Sequence, residues 1–173
     1  MNRGYHEIKE HGKREFPFNI YPCSIPVDFS HVALHWHEEM EIIAVKKGKG
    51  RITVDTVSYP VEEGDILAVF PGQLHAISCG NGERMEYENI IFRLSMLMGD
   101  NGDGCTVHFL KPLQEGQAKN PVLIQRNQPD HEVFGKVIQE LDRFSEIRGN
   151  GYQLAVKGQL FLFLYYAYGR GIL

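Results

Sequence analysis

The sequence predicts a mainly β domain, a barrel or sandwich of short strands, followed by two antiparallel α-helices. Three observations carry that reading. From His31 to about Leu110 the chain breaks into short runs rich in Val, Ile, Phe and Tyr, punctuated by KKGKG, EEGD, PGQ, CGNGE and GDNGDG. Gly-bearing turns at such regular spacing mark an all-β architecture. After Pro121 the apolar period changes to that of a helix. The stretch QLFLFLYYAYG near the end is then apolar on nearly every side.

Residues 1–24 read as an N-terminal arm. Within it FPFNIYP (16–22) is too rich in proline to be a central strand and is expected to lie over the mouth of the barrel or pack on its edge. The barrel spans 25–115, with HVALHWH and EIIAV filling one run, then RITVD, VSYPV, DILAVF, HAIS, EYENIIFRL and CTVHFL. Pro60 makes its run an edge strand or a bend. The helical segment covers 116–173. Val133, Phe134, Val137, Ile138, Leu141 and Phe144 recur at helical spacing, Pro129 and Asp130 suit a helix start, and Gly149 to Gly151 form a stop. The second helix begins near Tyr152. A helix that is apolar all round needs burial on more than one face. A small barrel covers one face, so a homodimer through the C-terminal helices is expected; the alternative packs both helices on the barrel of a monomer.

With 173 residues, 43% hydrophobic and 23% charged, the chain suits one globular domain and not disorder. A net charge of −4 supplies no basic stripe for a phosphate backbone, so this chain is not expected to grip DNA alone. The N-terminus is charged throughout, and no run reaches membrane-spanning length, which points to a cytoplasmic protein without a membrane partner. Cys23, Cys79 and Cys105 form no C-x-x-C, so neither a disulfide framework nor a thiolate zinc site is indicated. No G-x-S-x-G and no strand-to-helix phosphate loop is present.

The chemistry concentrates in HWHEEME, residues 35–41. In an extended chain, residues of equal parity share a face, so Ala33, His35, His37, Glu39, Glu41, Ile43 and Val45 are expected to point one way, into the barrel. His75, after the turn FPGQLH, adds an imidazole. Buried ionisable groups need pairing, water or a metal. His35, His37, Glu41 and His75 make a first shell for Zn²⁺, Ni²⁺, Fe²⁺ or Mn²⁺. Tyr87, Asn89, Ile91 and Arg93 share a face of EYENIIFRL and add a polar wall to the pocket. Arg93 suits a carboxylate partner. Trp36 has opposite parity and is expected to face the helix interface or the inter-sheet packing.

HWHEEMEIIAVKKG resembles the first metal motif of the cupin superfamily, H-x-H-x3-E-x6-G, at His35, His37, Glu41 and Gly48. GDILAVFPGQLH resembles the second, at Gly64, Pro71 and His75, although Cys79 stands where that motif ends in Asn. HWHEEMEI, GKGRITVD, EEGDILAVFPGQLH and MEYENIIF are most similar to one branch, the N-terminal effector-binding and dimerisation domain of AraC-type transcriptional regulators. The resemblance spans about residues 20–168. It implies a cupin-like double-stranded β-helix barrel (jelly roll) that binds a small effector, by family preference a sugar, and dimerises through its helices. In full length such a domain is followed by helix-turn-helix units that bind DNA, absent here; the missing basic region and the abrupt end agree. Two readings of the His/Glu cluster stay open: a metal shell, or the polar lining of an effector pocket without a required cofactor. The alternative function is a metal-dependent cupin enzyme, a dioxygenase or an isomerase.

Overall fold

The computed structural model describes residues 3–173. Eight strands form an antiparallel barrel: β1 Phe18–Ile25, β2 Val32–His35, β3 Met40–Val54, β4 Val57–Glu62, β5 Ile66–Val69, β6 His75–Ser78, β7 Met85–Phe92 and β8 Val122–Ile124. They make two layers. One runs β1-β7-β3-β5-β8; the other is built from β4, β6 and β2 on the far half of β3. The 15-residue β3 belongs to both layers, pairing with β7 over Met40–Gly48 and with β4 and β6 beyond. The crossover is made at Gly48. Its φ is +77°, and a Cβ there would sit 2.1 Å from the Arg84 carbonyl oxygen, so only glycine lets β3 turn from one sheet to the other.

Alternate residues of the larger layer enter separate cores. Ile43, Val45, Leu67, Val69, Met85 and Tyr87 fill the barrel with Ile52, Val54 and Ile77 from the other layer. Met40, Ile42, Ala44, Ile66, Ala68, Ile90 and Phe92 point outward into a second core under the helices. Both faces are therefore buried, which explains the unbroken apolar run IIAV, 42–45.

Two helices cover the outer face, α2 His131–Ile147 and α3 Tyr152–Tyr168. The helical spacing seen in the sequence is borne out: Phe134, Val137, Ile138 and Leu141 of α2 are buried. The reversal is made by left-handed Arg148 (φ 45°) and Gly151 (φ 80°). Phe134 meets Phe163 edge-on at 5.2 Å between ring centres. On α3, Val156, Leu160, Phe163, Leu164 and Ala167 are buried, while Leu154 (77%), Leu162 (42%) and Tyr165 (71%) stay exposed. Beyond α3, Arg170 forks onto both Asp130 carboxylate oxygens at 2.7 Å and reaches the Leu123 carbonyl at 2.8 Å, pinning that segment to β8 and the start of α2.

Four expectations need correction. Residues 18–24, read as part of the arm, are sheet: β1 pairs with β7 from Phe18↔Phe92 to Ile25↔Met85, and its proline fits because β1 is an edge strand. CTVHFL is not a strand. It forms a π-helical stretch, Thr106–Leu110, continuing into α1 Lys111–Gln114. Asp103 accepts from the Thr106 backbone N–H and hydroxyl at 2.8 and 2.6 Å, and Thr106, Leu110 and Leu113 are buried at helical spacing. PVLI, given no structure by the periodicity, supplies β8 because β5 offers an open edge. Finally, HVALHWH and EIIAV are not one run: 36–39 bends between β2 and β3, which lie in different layers.

Candidate metal and effector site

The bend at 36–39 brings the polar residues together. His35 ends β2 directly opposite His75, which opens β6. Glu41 lies at the start of β3, between Val69 of β5 and Ile91 of β7. Across the mouth, the turn FPGQLH is closed by Gln73, whose Oε1 accepts from the Phe70 N–H at 2.8 Å, and Gly72 donates to the His37 carbonyl at 2.9 Å. Gly72 is left-handed there (φ 81°), as such a turn requires.

His35, His37, Glu41 and His75 each offer one donor atom, and these atoms lie within 4.8 Å of one another. Each imidazole faces a backbone carbonyl through Nδ1: His35 to Ala33 at 2.9 Å, His37 to Glu39 at 3.1 Å, His75 to Gln73 at 3.0 Å. A carbonyl only accepts, so Nδ1 carries a proton and Nε2 is the atom turned inward. The His37 and His75 Nε2 atoms both approach Glu41 Oε2, at 3.0 and 3.1 Å. Lone pairs facing a carboxylate need a cation between them, whether protons on the rings or a metal ion. Burial would push the Glu41 carboxyl up, but the charge of His75 and hydrogen bonds from both rings hold it below the usual range. Burial would lower His75, and the Glu41 charge beside it raises it instead. His35 goes down, through burial and repulsion from His75. Three oriented nitrogens and an ionised oxygen fit a divalent ion such as Zn²⁺, Fe²⁺, Ni²⁺ or Mn²⁺.

A cavity of about 480 Å³ opens onto this cluster, touching His35, Glu41, Tyr87, Asn89 and Ile91. Burial pushes the Tyr87 phenol up, and the Cys23 thiol beside it adds to the shift; the hydroxyl makes no hydrogen bond of full geometry, and Asn89 Oδ1 is buried without a partner in the protein. Buried polar atoms of this kind await a partner. Tyr87 and Asn89 share the cavity side of β7, as strand parity expects. The rule failed for Arg93, because β7 ends at Phe92; Arg93 instead donates to Glu39 Oε1 at 2.8 Å, away from this cavity. Parity failed for Glu39 too, since the bend turns its side chain toward Arg93. Trp36 enters neither core; it stacks on His6 at 4.2 Å.

The sequence reading missed the wall supplied ahead of and within β1. Glu7, Lys9, His11, Tyr21 and Cys23 all line the cavity. His11 is almost fully buried, its Nε2 3.8 Å from Glu7 Oε2 and without a hydrogen bond of full geometry. Burial pushes the Cys23 thiol up to about 11, so it is a neutral wall. The available signal was parity: Glu7, Lys9 and His11 alternate as the histidines of HWH do.

The barrel gathers three imidazoles and a carboxylate beside a cavity, the arrangement of a small-molecule pocket. The family model described as AraC-like ligand binding domain matches residues 26–164, and the chain belongs to that family. It is 27% identical over 88 residues to an uncharacterised HTH-type transcriptional regulator, YdeC, of Bacillus subtilis (strain 168), a match covering 50% of this chain and 30% of that protein. The chain thus spans about a third of that relative's length. Similar solved structures include a cupin 2 conserved barrel domain protein of Salinispora arenicola (19% identity, 56% of this chain, 87% of that one, TM-score 0.42). A cupin protein of Bacteroides fragilis has 20% identity over 54% of this chain and 93% of its own, with a TM-score of 0.37. Bacillus subtilis oxalate decarboxylase, studied for its Mn(II) centers, has 25% identity over 36% of this chain and 18% of its own, with a TM-score of 0.33.

Proposed function

We propose that this domain senses a small polar effector in the barrel cavity on behalf of a helix-turn-helix regulator. One observation carries the reading: Tyr87 and Asn89, whose side-chain oxygens are buried without a geometric hydrogen bond, line the same cavity as His35 and Glu41 of the cluster. A hydroxyl that donates and accepts suits both atoms, which supports a sugar-like polyol over a ligand that only accepts. His35, His37, Glu41 and His75 hold a divalent ion beside that effector. The chain forms a homodimer through α3, whose exposed Leu154, Leu162 and Tyr165 suit a second copy. Effector binding biases how the regulator presents its DNA-binding units in the cytoplasm.

The test is a thermal-shift series against sugars and divalent ions, alone and combined, since a ligand of the folded state raises Tm. A sugar that raises Tm for the wild type but not for Tyr87→Phe supports the reading; no shift with any polyol sinks the sugar class. Sedimentation at high micromolar concentration should show a dimer, and a monomer removes the α3 interface. A second reading is a metal-dependent enzyme, a dioxygenase or isomerase, favoured because the ligand set opens onto a cavity where a substrate could meet the ion. Metal content below about 0.1 per chain as purified, unchanged in His35→Ala and His75→Ala, leaves sensing alone.

A further inference from the structure

Outside the four-ligand cluster, one carboxylate lies against a member of it, His35. The N-terminal segment forms a parallel bridge with Trp36, the residue between His35 and His37: Glu7 donates its N–H to the Trp36 carbonyl and Trp36 to the Tyr5 carbonyl, both at 2.9 Å. That register, reinforced by the His6–Trp36 stack, sets the Glu7 side chain beside the cluster. Glu7 Oε2 lies 3.8 Å from His35 Nε2 and 3.8 Å from His11 Nε2. Two donors each about 2.1 Å from one ion lie roughly 3.0 to 4.2 Å apart. The spacing between Glu7 and His35 falls within that range. His11 is buried with Glu7 as the neighbour of its Nε2, which makes no other polar contact of hydrogen-bond geometry, while its Nδ1 meets Tyr21 Oη at 3.2 Å. It is placed to hold the carboxylate from behind, as outer imidazoles and carboxylates orient ligands at metal sites.

We propose that Glu7 is a fifth, N-terminal ligand of a divalent cation held by His35, His37, Glu41 and His75, and that His11 is its positioning residue. This rests on the reading that the four-residue cluster takes a cation. Charge supports it: a divalent ion with Glu41 as its only carboxylate keeps one net positive charge in a largely buried site, and Glu7 neutralises it. One consequence is that the N-terminal segment and the ion bind each other, so that each is held more firmly when the other is in place.

The test titrates the metal-free 173-residue chain with Zn²⁺ by calorimetry and with Co²⁺ by visible absorption, whose intensity and shape report coordination number. Glu7→Gln should weaken Zn²⁺ binding by about 10-fold or more and alter the Co²⁺ spectrum, while Glu7→Asp, which keeps the carboxylate, falls between. Glu10→Gln, on the exposed side of the same segment, should match the wild type in both. His11→Gln should weaken Zn²⁺ binding less than Glu7→Gln and keep the wild-type Co²⁺ spectrum shape. If Glu7→Gln weakens affinity but leaves the Co²⁺ spectrum unchanged, Glu7 acts only through its charge and the ligand assignment is overturned. Unchanged affinity overturns it as well. Absence of any cation uptake by the wild type removes the four-ligand reading along with this one, whereas uptake that ignores Glu7 removes this one alone.

Discussion

The inner and outer faces of the β1-β7-β3-β5-β8 layer are written by the same strands and do opposite work. On β7, Tyr87, Asn89 and Ile91 face the cavity, while Ile90 and Phe92 enter the core under the helices and Glu88 meets Lys46. On β3, Glu41 points into the site, and Met40 and Ile42 on either side point out. The outer face is mostly apolar contact, with a polar group of Lys46, Glu88 and Asp142 at its rim. The inner face keeps the Tyr87 and Asn89 oxygens buried without a geometric hydrogen bond and gathers carboxylates with imidazoles. Since those features oppose folding, the outer face stabilises a barrel whose inner face is left ready for ligands, and changes on the two should separate stability from binding.

The largest expected effect is on the outer face. Phe163→Ala, removing a fully buried ring that meets Phe134, should cost about 3–5 kcal/mol in urea denaturation. Cation affinity per folded molecule should stay as it was; a parallel loss of affinity would show that the faces are coupled. Next, Glu41→Ala should lower divalent-cation affinity more than about 100-fold in calorimetry, beyond the range for outer-shell partners. Smaller still, Tyr87→Phe deletes a buried hydroxyl that lies beside the Cys23 thiol without a hydrogen bond of full geometry and should raise stability by about 1 kcal/mol, with effector binding lost. A drop in stability would mean that the hydroxyl already has a partner.

The smallest effect tests the outer rim. Burial pushes the Glu88 carboxyl up, against the pull of Lys46 and with the push of Asp142. A carboxyl raised in the folded state contributes stability below its ordinary pKa that is lost as pH rises through the raised value. The urea midpoint of the wild type, minus that of Glu88→Gln, should therefore fall with increasing pH across that window. A difference that is flat with pH removes the buried-carboxylate account. Any shift in cation affinity in Glu88→Gln would join the two faces through β7.

Much of this was legible in the chain itself. The helical periodicity from Val133 to Phe144, the apolar second helix, and the inward parity of Glu41, Tyr87 and Asn89 follow from local geometry, because periods of 3.6 and 2 are properties of the backbone. Reading failed where local rules end. Arg93 fell off its face because β7 stops at Phe92, and Glu39 left the face of His35 because the chain bends between layers. CTVHFL has strand composition, yet Asp103 starts a helical turn that buries Thr106 and Leu110; a short apolar run does not declare its period.

By itself the sequence determined the ligand types, the spacing of HWHEEME and FPGQLH, the glycine that lets β3 change sheets, and an apolar helix pair. These are written in residue identity and backbone period. Only the tertiary structure decided that His35 faces His75, that one Glu41 oxygen serves two imidazoles, and that Glu7 and His11 close the cavity from residues far away in the chain. Those relations depend on sheet register and on the bridge at Trp36, which are set by the packing of the whole barrel and leave no periodic trace in the segments they join.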